Sequence, residues 1–150
     1  MTSCHSLLLL ALTASSLVSL TTPAVAAADE PAFKIIAHPD MPITSLGRAT
    51  VAKIFQRAVT GLAGVPKLRP VNLDAASPVR AAFDKVILGK SVSEVKAFWQ
   101  QQLFAGRSVP PPEKSSEAAV LAFVLATPGA IAYVGARTET GAARIIPLTD

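Results

Sequence analysis

Prolines and glycines divide this chain into short lengths, and that punctuation limits its fold more than any other feature. Pro39 and Pro42 force an extended loop at 38–42. Residues 60–66 (TGLAGVP) form a glycine-rich break, and 106–114 (GRSVPPPEK) a proline-rich one that excludes regular structure. Thr127-Pro128-Gly129 ends a further apolar run.

The segments between the breaks carry clear patterns. Residues 33–37 read as a short buried strand. Ser45 is placed to cap a helix over 47–56 with Val51, Ile54 and Phe55 inward. Residues 68–73 form an extended segment that Pro70 places near an edge or makes irregular. Ser77 is an N-cap candidate, Pro78 suits the first helical position, and Val79, Phe83, Val86 and Ile87 share one face before a left-handed stop at Gly89. Ser91 with Glu94 makes a capping box for a helix whose inward stripe is Val92, Val95, Trp99 and Leu103. Ser116 caps a helix to about 126 whose apolar breadth predicts burial on more than one face. Strands follow at 131–134 and 144–148. The order β-α-β-α-α-α-β-β predicts one α/β domain, a sheet covered by helices on both faces.

The N-terminus reads differently. Residues 7–20 are an uncharged apolar and small-residue run, and Ala24-Val25-Ala26 supplies the small-x-small pattern of a cleavage site. The run falls short of the roughly 20 residues of a membrane-spanning helix. Residues 1–26 are therefore expected to be a signal peptide, although MTSCHS has no Lys or Arg. The expected product is a periplasmic or secreted domain, 27–150, with no transmembrane segment. Cleavage near Ala26 would remove the single cysteine, so no disulfide is available and the core alone must hold the fold.

All charged residues lie beyond residue 28 and sum to +4. That balance suits small anions, acidic polymers or anionic surfaces. The basic residues form no run and the aromatics no stacking platform, which argues against nucleic acid as a partner. His38 is the only histidine in 27–150, there is no phosphate-cradling or dinucleotide glycine motif, and the carboxylates are dispersed. The reading is a non-enzymatic protein without metal or cofactor.

One segment points to recognition. From Val71 to Arg80, an extended stretch, a loop and a helix start aim free amides and a helix dipole at the loop. Ser77 adds a hydroxyl and Arg80 a positive fork suited to phosphate or carboxylate. The alternative is that Ser77 only caps the helix and Arg80 is a solvated surface residue.

Several ordered pieces carry a family resemblance. They are Ser45-Leu46 with Val51-Ala52-Lys53-Ile54-Phe55; Pro70-Val71-Asn72 with Ser77-Pro78-Val79-Arg80-Ala81-Ala82-Phe83; Phe98-Trp99 with Phe104-Ala105-Gly106-Arg107 and Pro110-Pro111; and 128–134 (PGAIAYV). Together they resemble the phosphate ABC-transporter substrate-binding family over about 33–135. The resemblance implies a type II periplasmic-binding-protein-like fold, a mixed sheet covered by helices, here as a single lobe. In large members a Ser-Gly-Thr helix start holds phosphate. Ser77, Pro78 and Val79 stand at those positions, so the serine is kept and the glycine and threonine are not. Leu73 and Ala75 stand where those proteins carry an arginine and an aspartate.

The expected anion site is thus Ser77, the amides of Val79 and Arg80, and the Arg80 guanidinium. Asn72 would orient the loop and Arg107 approach from the side. The expected partner is phosphate or a similar small anion, with an ABC permease or another envelope protein. The alternative is an accessory interaction module of the cell envelope that keeps the fold without the ligand.

Overall fold

In the computed structural model residues 32–150 are described, so the expected signal peptide, 1–26, lies outside them. The chain runs β1 (Phe33–Ala37), β2 (Leu46–Gly47), α1 (Arg48–Phe55), β3 (Arg69–Pro70), β4 (Asn72–Leu73) and α2 (Pro78–Phe83). A π-helical turn (Asp84–Leu88) prolongs α2. Then follow α3 (Val92–Phe104), β5 (Glu113–Lys114), α4 (Glu117–Ala126), β6 (Ala130–Gly135), β7 (Arg144–Ile146) and β8 (Leu148–Thr149).

The main sheet is mixed, in the order β3-β6-β1-β7. β1 pairs antiparallel with β6, Phe33 opposite Gly135 and Ala37 opposite Ile131, and antiparallel with β7 on its other side. β3 joins the far edge of β6 in parallel. Successive residues of β1 and β6 are buried, so both faces of the sheet are covered. On one face Phe33 and Tyr133 receive Phe55 of α1 and Phe83 of α2, and the Phe83 and Tyr133 rings stack at 3.8 Å. α4 packs against β6 and β1 through buried Val120 and Val124.

The punctuation is realised where a backbone reason existed. Ser91 and Glu94 form the reciprocal capping box, Ser116 accepts the Ala119 amide at 3.1 Å, and Gly89 stops its helix at φ 64°.

Other expectations change. Ser45 is exposed, and the extended residue before α1 is Gly47, which has no side chain to cap with. Val86 turns outward, because the wider π turn rotates the residues after Asp84 while Ile87 stays buried. Leu103 is exposed, since α3 runs past the core. α4 buries one face, with Leu125 outward. The 68–73 segment keeps both consequences expected of Pro70: β3 is an edge strand, and the segment is broken into two strands in two sheets, with the Val71 amide bonded to the Ile131 carbonyl. Pro147 likewise separates β7 from β8, which pairs in parallel with β2.

One correction bears on the site. The proline-rich segment does contain structure: β5 pairs in parallel with β4, and the Asn72 amide donates to the Pro112 carbonyl at 2.8 Å. Proline lacks a donor, but its carbonyl accepts, and Glu113 and Lys114 have amides of their own.

Candidate functional site

The start of α2 is built by a turn that Asp74 folds. Asp74 Oδ1 accepts the Ala76 amide at 2.9 Å and the Asp74 carbonyl accepts the Ser77 amide at 3.0 Å. Ser77 then stands extended at the N-cap position, its carbonyl accepting the Ala81 amide at 3.1 Å. Its hydroxyl makes no capping bond, unlike the expected cap. Pro78 has no amide to place. The Val79 and Arg80 amides lie in the first turn, where no helical carbonyl precedes them. Three donors thus gather at one rim: the half-exposed Ser77 hydroxyl and the two amides.

A buried polar cluster, which the sequence shows only in part, is built around Arg80. Arg80 is not a solvated surface residue; its side chain is 4% exposed and that of Asp84 1%. Arg80 Nε donates to Asp84 Oδ2 at 2.8 Å, and Nη1 donates to the Leu73 carbonyl at 2.8 Å and to Glu113 Oε1 at 3.1 Å. Among the described residues these bonds leave Nη2 as the nitrogen not engaged. The expected free positive fork is therefore already occupied from inside. α2 and the π turn that prolongs it deliver Arg80 and Asp84 four residues apart, and β5 brings Glu113 across from β4.

Asn72 belongs to the same cluster. Its Oδ1 accepts the Tyr133 hydroxyl at 3.3 Å, and the Tyr133 oxygen accepts the Leu73 amide at 3.3 Å. Asn72 and Tyr133 thus tie β4 to β6 directly below the turn. Arg107 is exposed just beyond α3 and shares no hydrogen bond with Ser77, Val79 or Arg80.

Burial sets the electrostatics. It pushes the Asp84 carboxyl above its usual range, against the downward pull of Arg80 and with a further push from Glu113. Burial opposes the Arg80 charge too, but Tyr133, Asp84 and Glu113 outweigh it and hold that guanidinium above its ordinary value. The Tyr133 hydroxyl is pushed well up, chiefly by burial. Asp84 Oδ1 is buried without a partner among the described residues. One cation therefore faces two carboxylates, so an arriving anion meets donors and a helix dipole rather than a net positive field.

Asp84, Glu113 and Tyr133 are the members that sequence reasoning missed. Asp84 left a signal, its i,i+4 spacing from Arg80. Glu113 left none, because β5 was hidden behind three prolines.

His38 has a structural place, its Nδ1 accepting the Asp40 amide at 3.2 Å. Among the described residues no three His, Cys, Asp or Glu side chains group as a metal site, and no helix is long and apolar enough to cross a membrane.

No family profile and no curated protein matches the sequence. Solved structures do match in fold. A Clostridium perfringens protein described as a phosphate ABC transporter substrate-binding protein, with phosphate bound, aligns at TM-score 0.62 and 15% identity over 78% of this chain and 44% of its own. An ABC-type phosphate transport receptor from Vibrio cholerae aligns at 0.62 and 16% over 78% and 46%. PstS from Borrelia burgdorferi aligns at 0.62 and 17% over 79% and 47%. The chain spans less than half the length of each of these proteins.

Proposed function

We propose that this chain, which has the periplasmic-binding-protein-like fold as a single lobe, is a non-enzymatic binding protein for phosphate or a related oxyanion. Export with cleavage near Ala26, and work beside an ABC-type permease in the periplasm, belong to the same proposal. The observation that carries it is the rim at the start of α2. The Ser77 hydroxyl makes no capping bond, the Val79 and Arg80 amides lie in the first turn with no helical carbonyl before them, and the Arg80 side chain of the same turn is buried. Such donors suit a tetrahedral anion at a helix start. The likeness to receptors that include one holding phosphate supports the same ligand class.

The arrangement implies weak binding. Arg80 is matched by Asp84 and Glu113, and one lobe leaves its ligand open to water, so burial contributes little. An affinity near 1 mM corresponds to about −4 kcal/mol. Calorimetric titration of the protein with phosphate, sulfate and small organic acids tests this reading. Saturable phosphate heat that disappears in Ser77→Asp supports it, and its absence with every anion refutes it.

A second reading has its own observation. Phe104 is 93% exposed at the end of α3, beside Leu103, with Val109 exposed further along. Apolar residues so placed suit a protein contact, and an accessory envelope module that keeps the fold without a ligand accounts for them. Capture of one stoichiometric envelope partner, lost in Phe104→Ser, would favour it.

A further inference from the structure

A second charged feature lies away from the start of α2 and does not depend on that reading. Arg57 and Lys67 line a cleft with Arg69 of the edge strand β3, and among the described residues none of the three makes an ion pair or a side-chain hydrogen bond. Three adjoining clefts of about 330, 290 and 230 Å³ open beside them. Lys67 lines all three, Arg57 two, and Arg69 two. A lone carboxylate, Asp40, shares the first cleft.

The backbone around the clefts is rigidly specified. Arg57 is the non-glycine residue with positive φ among those described, at 59°, a place just past a helix where glycine is usual. Gly129 has φ 80°, and a Cβ there would lie 2.3 Å from the Lys67 carbonyl. Lys67 is thereby seated closely against the turn between α4 and β6.

The edge itself is closed to strand addition. Pro70 has no amide, and the Leu68 and Arg69 amides already donate to the Thr60 and Gly129 carbonyls. Recognition must run through side chains. Pro42, Pro66, Pro70, Pro112 and Phe123 give the clefts apolar walls. A compact anion fills one cleft and leaves two empty. An extended chain with carboxylates at intervals and apolar residues between them follows all three.

We propose that the clefts along β3 bind an extended acidic peptide segment of a protein partner, with Arg57, Lys67 and Arg69 meeting its carboxylates and the prolines its apolar side chains.

The test is fluorescence anisotropy of a labelled peptide of alternating Glu, Pro and Leu, added to the whole protein at low salt. Comparison variants are Lys67→Glu/Arg69→Glu and, with the same change of net charge, Lys90→Glu/Lys96→Glu on the exposed surface near α3. Circular dichroism confirms that both are folded. Binding by the wild type, weakened about tenfold or more in the first variant and retained in the second, is the expected result. Equal weakening in both variants reduces the effect to net charge and overturns the proposal. No peptide binding overturns it as well. Binding of citrate or inorganic phosphate at Lys67 and Arg69 without peptide binding overturns the occupant in favour of a compact anion.

Discussion

Arg80 on α2 and Asp84, which opens the π turn that prolongs it, form an ion pair at 2.8 Å, with both side chains withdrawn from water. The pair flanks Phe83, whose ring stacks on that of Tyr133, and Arg80 also contributes one of the first-turn amides. It joins the stability of the lobe to the electrostatics of its proposed site.

Removing Arg80 leaves Asp84 buried without its counter-ion. Arg80→Ala should therefore cost about 3–5 kcal/mol of unfolding free energy in urea denaturation. The double change Arg80→Met with Asp84→Leu should recover most of that loss, because no buried charge remains and the half-exposed Glu113 can be solvated. Equal destabilisation in the single and double variants would mean that the pair is not what holds this region.

The same pair sets a pH dependence. The folded-state pKa of Asp84 is raised, chiefly by burial, above an unfolded value of about 3.9. Its contribution to stability is complete below the unfolded value and is lost as pH rises through the folded one. Without Arg80 the folded value climbs further and the loss extends to higher pH. The stability gap between wild type and Arg80→Ala should thus widen from about pH 4 to about pH 7. Denaturation midpoints that run parallel across that range would contradict it.

Two serines at helix starts should behave differently. Ser91 accepts the Glu94 amide and its own amide donates to Glu94, so Ser91→Ala should cost about 1 kcal/mol. Ser77 makes no such bond, and Ser77→Ala should change stability by only about 0.5 kcal/mol or less while weakening anion binding. Thermal melts of the two variants separate the structural serine from the recognition one.

Two left-handed glycines differ in their surroundings. At Gly89 a Cβ would meet nothing within 4 Å, so Gly89→Ala carries only the backbone penalty of about 1–2 kcal/mol. At Gly129 the same substitution adds a clash with the Lys67 carbonyl and should destabilise clearly more. Comparing the two unfolding free energies checks this order.

Much of the fold could be read from local chemistry. The capping box at Ser91, the cap at Ser116, the stop at Gly89 and the apolar runs of β1 and β6 each depend on neighbouring residues. The helix start at Pro78 was legible for the same reason. The use made of Arg80 was not. Its burial depends on Tyr133 from β6 and Glu113 from β5, and the pairing of β5 with β4 arises between segments some forty residues apart in sequence. Val86 was misplaced because a π turn is a tertiary accommodation with no periodic signature. Arg107 was grouped with the site by sequence pattern, yet it ends exposed beyond α3 without a bond to the others.

The central claim is that the donors at the start of α2 hold an oxyanion. Amide chemical shifts followed by nuclear magnetic resonance during a phosphate titration test it residue by residue. Saturable shifts at Val79 and Arg80, with smaller changes at Ser77 and Ala81, are predicted near millimolar phosphate. Shifts confined to Lys67, Arg69 and their neighbours, or no saturable shift at any amide, would contradict it.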